Sequence, residues 1–368
     1  MNYDLAAVVK HFPVEGRFLD AAPYGTGHIN DTFASRWDVD GTIVRYIQQR
    51  INHNVFKNPP ELMENIARVT RHLRDKLAAI PGSNVERETL TVIPTVDGAA
   101  CHQDEDGNYW RTYIFIEGAQ TYDVCEGPRQ AYEAAKAFGQ FQKLLVDLPG
   151  PRLHDTIPYF HHTPRRFDAL EQAIEADSAN RCSAASAEIA FAMTRKESAS
   201  LVTDLLESGG IPERITHNDT KLNNVMLDDE DGRGVCVIDL DTVMPGSALY
   251  DFGDLVRGTT RTSEEDEQDL AKVRFDIELF EALTRGYLET AGDFLTAAEL
   301  ENLVFSGRLI TFTIGIRFLA DYLAGDVYFK THRPDQNLDR CRVQFQMIQH
   351  MEQQQHAMET LVRKYAET

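Results

Sequence analysis

Hydrophobic and polar residues along this 368-residue chain change rhythm near residue 118. Before that point the dominant spacing is two. Thr32-Phe33-Ala34-Ser35-Arg36-Trp37 alternates, Asp40-Gly41 offers a tight turn, and residues 43–51 form a second β-rich run, which together predict a hairpin. Asn58-Pro59-Pro60 then opens a helix whose apolar residues Leu62, Ile66, Val69 and Leu73 fall at helical spacing. Residues 89–95 and 110–116 read as further strands, with a turn at Asp104-Glu105-Asp106-Gly107-Asn108 between them. Beyond Gly118, residues 128–146, 164–176 and 185–208 carry apolar stripes with polar backs, and Gly209-Gly210-Ile211-Pro212 stops the last. A short β interlude, 225–227 and 235–240 joined across 228–232, is followed by helix again over 264–366. The pattern predicts an α+β chain of two lobes: a strand-rich N-lobe over 1–117, with a glycine loop and hairpin, and a helical C-lobe over 118–368 that carries the polar cluster described next.

Composition narrows the field. Hydrophobic residues make up 42% and charged residues 26%, enough apolar material for a sizeable core. The net charge of −21 argues against non-specific binding to nucleic acid or to an anionic membrane, since both are negative. The same charge can attract a cationic substrate such as an aminoglycoside, though solubility alone is the simpler explanation. Five cysteines, with no C-x-x-C pair, read as free thiols in a reducing compartment. The N-terminus has no signal-peptide pattern, and no stretch is expected to be long and apolar enough to span a bilayer. A soluble, cytoplasmic protein is the expectation.

Chemistry concentrates in one region. Thr216-His217-Asn218-Asp219-Thr220-Lys221-Leu222-Asn223-Asn224 offers a carboxylate and, five residues later, an amide. Fifteen residues further on, the apolar run Val235-Cys236-Val237-Ile238 ends in Asp239, with Asp241 next but one. Phosphoryl transfer to an alcohol needs a carboxylate to orient the hydroxyl and take its proton, and hard oxygen ligands for magnesium. Taken singly, each of these residues is an ordinary turn or strand end. Their order and spacing together are not. Upstream, Tyr24-Gly25-Thr26-Gly27-His28-Ile29-Asn30-Asp31 places two glycines before the first hairpin strand, where backbone N–H groups can approach phosphates.

The set His217-Asn218-Asp219, Asn224 and Ile238-Asp239-Leu240-Asp241 resembles the signature of the aminoglycoside phosphotransferase and choline kinase superfamily, which has a protein-kinase-like fold. The resemblance implies ATP and Mg2+ as cofactors, Asp219 as catalytic base, His217 as a brace behind the loop, and Asn224 and Asp239 as magnesium ligands. It gives Asp241 a role near metal or substrate. It makes Asp251, in Tyr250-Asp251-Phe252-Gly253, a buried acceptor for backbone amides rather than a metal ligand. Gly25 and Gly27 would lie over the phosphates, and the adenine against 115–118, including Ile116 and Glu117. Where the second hairpin strand of a kinase carries a phosphate-binding lysine, this chain has Gln49, and Glu61, Glu64 or Asn65 stands where a glutamate partner would come.

Across nearly the whole chain the sequence is most similar to bacterial N-acetylhexosamine 1-kinases, in stretches that include Thr163-Pro164-x-Arg166-Phe167, Thr242-x-Met244-Pro245-Gly246-Ser247 and Arg317-Phe318-Leu319-Ala320-Asp321-Tyr322 with Tyr328-Phe329. That resemblance implies transfer of the γ-phosphate to the anomeric hydroxyl of N-acetylglucosamine or N-acetylgalactosamine. It places His28, Asn30, Arg317 and Tyr328 around the sugar. Without it, Arg317 and Asp321, four apart, read as an ordinary intrahelical ion pair. A kinase for another small alcohol (aminoglycoside, choline-like amine or different sugar) and a nucleotide-binding pseudokinase are the competing expectations.

Overall fold

The computed structural model describes residues 3–25, 27 and 29–367. The chain forms two compact units, and it passes from one to the other after Gln120, Lys143, Pro158, Asn224 and Pro245. The first unit holds the residues up to Gln120 together with Leu144–Pro158 and Val225–Pro245; the second holds Thr121–Lys143, Tyr159–Asn224 and Gly246–Thr368. This differs from a single division at residue 117, because the hairpin that ends near Asp239 belongs to the first unit. The cause is strand pairing: Ala119–Gln120 pairs with Val225–Asp228, which pairs in turn with Gly234–Val237.

The main sheet of the first unit runs Arg17–Pro23, Asp31–Val39, Thr42–Ile51, Tyr109–Ile114, Val92–Ile93, all antiparallel. The expected hairpin turns at Asp40 and Gly41, whose φ of 51° and 85° give the left-handed backbone that suits the twist of its strands. Helix Pro59–Ala78 starts at Asn58 with proline in its first turn, and buries Leu62, Met63, Ile66, Val69 and Leu73. The run expected as a strand over 89–95 is strand only at Val92–Ile93, preceded by a helical turn, Val85–Glu88.

The second unit is helical. Pro128–Leu145 and Thr163–Ala176 lie close to the predicted ranges. The stretch 185–208 is broken into Ser186–Met193, a 3-10 turn Lys196–Ser200, and Leu201–Glu207. At the break the Thr194 and Ser198 hydroxyls bond the carbonyls of Phe191 and Arg195, competing with helix continuation. Ala248–Thr259, Ile277–Ala291, Ala297–Ala324, Gln336–Gln353 and Gln355–Ala366 complete the unit. Ala297–Ala324, begun by a Thr296–Glu299 capping box, is long and apolar enough to cross a bilayer, contrary to the expectation that no stretch would be. Here 72% of its most apolar window is buried, and Phe312, Ile316 and Leu319 pack with Phe167, Leu170 and Phe345. All five cysteines are free thiols.

Candidate active site

In the second unit the candidate catalytic loop follows strand Arg214–Thr216 and is held from behind by Asp251. Ser247 caps helix Ala248–Thr259, which sets Asp251 in its first turn. One Asp251 oxygen accepts the N–H of Asn218 at 2.7 Å; the other accepts the N–H of His217 at 2.9 Å and Gln142 Nε2 at 2.6 Å. Gln142 is itself fixed by the Tyr287 hydroxyl at 2.6 Å, and the Thr220 hydroxyl donates to the Asp251 carbonyl at 2.6 Å. Burial pushes the Asp251 carboxyl up to about 6, although His217, Asn218 and Gln142 all favour its charged form. His217, fully buried, packs edge-on against Phe138 and Phe141. Gly246 is required at its place, since a Cβ there would lie 2.4 Å from Thr216 Oγ1 and 3.0 Å from Asn218 Oδ1.

This scaffold turns the chain through Asn218, whose φ is 65°, and presents Asp219. Lys221 Nζ lies 2.8 Å from one Asp219 oxygen, and Asn224 Nδ2 donates to the other at 3.1 Å and to the Asp219 carbonyl at 2.8 Å. Burial works to raise the Asp219 carboxyl, but Lys221, His217 and Arg257 outweigh it and hold it below the usual carboxylate range. A charged carboxylate is what a hydroxyl donor needs. Asn224 uses its amide nitrogen on Asp219, so its oxygen, the atom a magnesium ion would take, accepts none of these bonds.

Further along the second unit, Arg317 does not pair with Asp321. Asp321 instead accepts the backbone N–H groups of Val327, Tyr328 and Phe329 and the Asn337 amide, all at 2.8–3.0 Å. That ties down the loop carrying Tyr328, whose side chain is exposed. The Arg317 guanidinium stands 5.9 Å from the Tyr328 ring and 5.4 Å from that of Phe329, and makes no ion pair among the described residues. Its burial and the like charges of Arg166 and Arg257 lower its pKa. Among the described residues Arg166 bonds the carbonyls of Tyr159 and Phe160, at 3.3 and 3.1 Å, and its Nε is buried without a partner there. Lys221 and Arg166 fall within the stretches set out above without a role of their own, and Arg257 looks in the sequence like an ordinary surface cation.

In the first unit, Gly25 has φ 80° and a Cβ on either Gly25 or Gly27 would meet nothing within 4 Å, so the loop borders open space. His28, expected near the sugar, lies outside the described residues. Asn30, expected there too, has its amide engaged: Nδ2 donates to Asp241 at 2.6 Å and Oδ1 accepts Asn52 N at 3.0 Å. Gln49 is likewise engaged, donating to Thr32 Oγ1 and accepting from Arg111 Nε, both at 2.9 Å. Ile116 is buried, and the Glu117 carboxylate pairs with Arg45. Asn65 binds the carbonyls of His154 and Val243, whereas the exposed Glu64 bonds His154. Asp239 follows strand Gly234–Val237 with φ 56° and an exposed carboxylate. Asp241 is buried, with one oxygen on Asn30 and the other on Arg111.

The fold matches known structures along its whole length. A solved aminoglycoside phosphotransferase from Alicyclobacillus acidocaldarius is 14% identical with a TM-score of 0.61, covering 100% of this chain and 97% of that one. A microcompartment-associated aminopropanol kinase is 16% identical with a TM-score of 0.56, covering 95% and 96%. Spectinomycin phosphotransferase, solved with ADP and spectinomycin, is 14% identical with a TM-score of 0.56, covering 92% and 95%. The chain thus has the kinase-like fold, strand-rich in its N-terminal part and helical in its C-terminal bulk. The model of the phosphotransferase enzyme family matches residues 20–295, well over half of the chain, and the protein belongs to that family.

Proposed function

We propose that the protein transfers the terminal phosphoryl group of ATP to the anomeric hydroxyl of an N-acetylhexosamine, giving the sugar 1-phosphate and ADP. Family membership supports phosphoryl transfer; the observation that carries the acceptor is Arg317, a cation without a carboxylate partner among the described residues, beside an exposed tyrosine. Arg317 and Arg166 together disfavour a cationic acceptor such as an aminoglycoside or choline, and their donors suit the oxygens of a neutral sugar. Tyr328 offers an apolar face with a polar tip for the ring.

In this reading Asp219 accepts the hydrogen bond of the C1 hydroxyl and takes its proton as the new O–P bond forms and the bond to the ADP oxygen breaks. Lys221, 2.8 Å from Asp219, would add positive charge beside the base during transfer. Asn224 and Asp239 are the residues that would hold magnesium, which when bound neutralises phosphate charge. The glycine loop at Gly25 and Gly27 gives N–H donors to the phosphates, and 115–118 receives the adenine.

The test is ADP release measured with N-acetylated hexosamines, unsubstituted hexoses, aminoglycosides and choline as acceptors. N-acetylhexosamines should give the highest kcat/KM, with the product phosphate on C1 by NMR. Turnover confined to amines would overturn the acceptor assignment. ATP binding without turnover on any of these acceptors would favour the pseudokinase.

A further inference from the structure

The first unit lacks a lysine where a kinase-like strand would carry one, yet it contains a buried cation in the adjoining strand. Arg111, on Tyr109–Ile114, stands directly across the ladder from Gln49 and is 1% exposed. Its Nε donates to Gln49 Oε1 at 2.9 Å, and its Nη1 pairs with one oxygen of Asp241, itself 2% exposed. The other Asp241 oxygen accepts Asn30 Nδ2 at 2.6 Å. Asn30 Oδ1 then receives the N–H of Asn52, whose side chain donates to the Ile29 carbonyl at 3.1 Å. One fully buried ion pair therefore ties the end of the glycine loop to the turn that carries Asp239.

A buried ion pair is weak support for stability, because desolvation offsets its attraction. It is a good device for fixing geometry, since an Arg fork and a carboxylate with both oxygens engaged leave few alternatives. The pairing also accounts for Gln49. A lysine there would set two cations opposite each other across the ladder, whereas a neutral amide accepts from Arg111 and donates onward to Thr32.

We propose that Arg111 replaces the missing strand lysine as the cation of the nucleotide-binding half of the protein: it is a positioning residue that, through Asp241, fixes both the glycine loop at Asn30 and the metal-binding turn at Asp239. This rests on the phosphotransferase reading but not on the identity of the acceptor.

Calorimetric binding of Mg·ADP to the full chain tests it without any acceptor. Arg111→Gln combined with Asp241→Asn removes both charges while keeping amides that can bond, so the variant should fold and melt near wild type. It should bind Mg·ADP about tenfold or more weakly and need more magnesium for half-maximal binding, with the acceptor KM unchanged. Gln49→Lys provides an independent check: it should weaken Mg·ADP binding by confronting Arg111. A folded double variant with wild-type Mg·ADP affinity and magnesium dependence overturns the proposal, as does tighter binding by Gln49→Lys. If the wild-type chain binds no Mg·ADP, the phosphotransferase reading itself falls, and this proposal with it.

Discussion

Burial works against the charge of Asp219, and Lys221, His217 and Arg257 together outweigh it, holding the carboxyl below its ordinary range. Asp219→Asn preserves shape and the contact with Asn224 but removes the carboxylate proposed as the proton acceptor. The variant should melt like wild type, with kcat reduced about a hundredfold or more; turnover close to wild type would remove Asp219 from the mechanism. Arg317→Ala should raise the acceptor KM about tenfold and leave the ATP KM alone, as expected for a charged donor to a sugar oxygen. Asp251 has the opposite electrostatics. Its folded pKa, about 6, lies above the ordinary 3.8, so its stabilising contribution is full below about pH 4 and is lost as pH rises through about 6. Wild type minus Asp251→Asn should therefore show a melting temperature difference that falls over that window and levels above it. The roles expected for Asp219, Asn224 and Asp239 come from the superfamily resemblance and not from local pattern; for Asp251 the structure shows a buried carboxylate accepting the N–H groups of His217 and Asn218. The engagement of Asn30, Gln49 and Asp241 was not legible in the sequence, since it depends on strand register and on a partner 130 residues away, Arg111 on Asp241.

At the scale of elements, the hairpin, helix Pro59–Ala78 and helix Pro128–Leu145 were readable from periodicity and capping residues, because each carries a single apolar face or a turn of special chemistry. The break within 185–208 was hidden, as hydroxyl-to-carbonyl bonds leave the apolar stripe intact. Close helix approaches were hidden too. Gly286 on Ile277–Ala291 faces Pro128–Leu145 so closely that a Cβ would lie 2.1 Å from the Tyr132 carbonyl oxygen. Those two helices hold Gln142 and Tyr287, which steady Asp251. Gly286→Ala should cost about 3 kcal/mol, seen as a drop in denaturation midpoint, and should lower kcat through the displaced Gln142. An unchanged midpoint would contradict the packing.

The whole molecule is built from two interleaved units, and the first cannot be cut out as one continuous piece. A fragment ending at Gln120 lacks Leu144–Pro158 and Val225–Pro245. It would leave Asn65 without its carbonyl partners and Arg111 without Asp241. Expressed alone, that fragment should show no cooperative thermal transition by circular dichroism; a sharp one would mean the N-terminal segment folds unaided. Interleaving was the least readable feature, because the pattern of hydrophobic positions reports local period and not which distant strand completes a sheet. It also bears on how the protein is made. During synthesis the N-terminal third leaves the ribosome long before the strands that close its sheet and the aspartate that neutralises its buried arginine. For more than a hundred further residues Arg111 must wait in water or in the care of a chaperone. The first unit is therefore completed only after Val225–Pro245 has been made, well after most of its own residues.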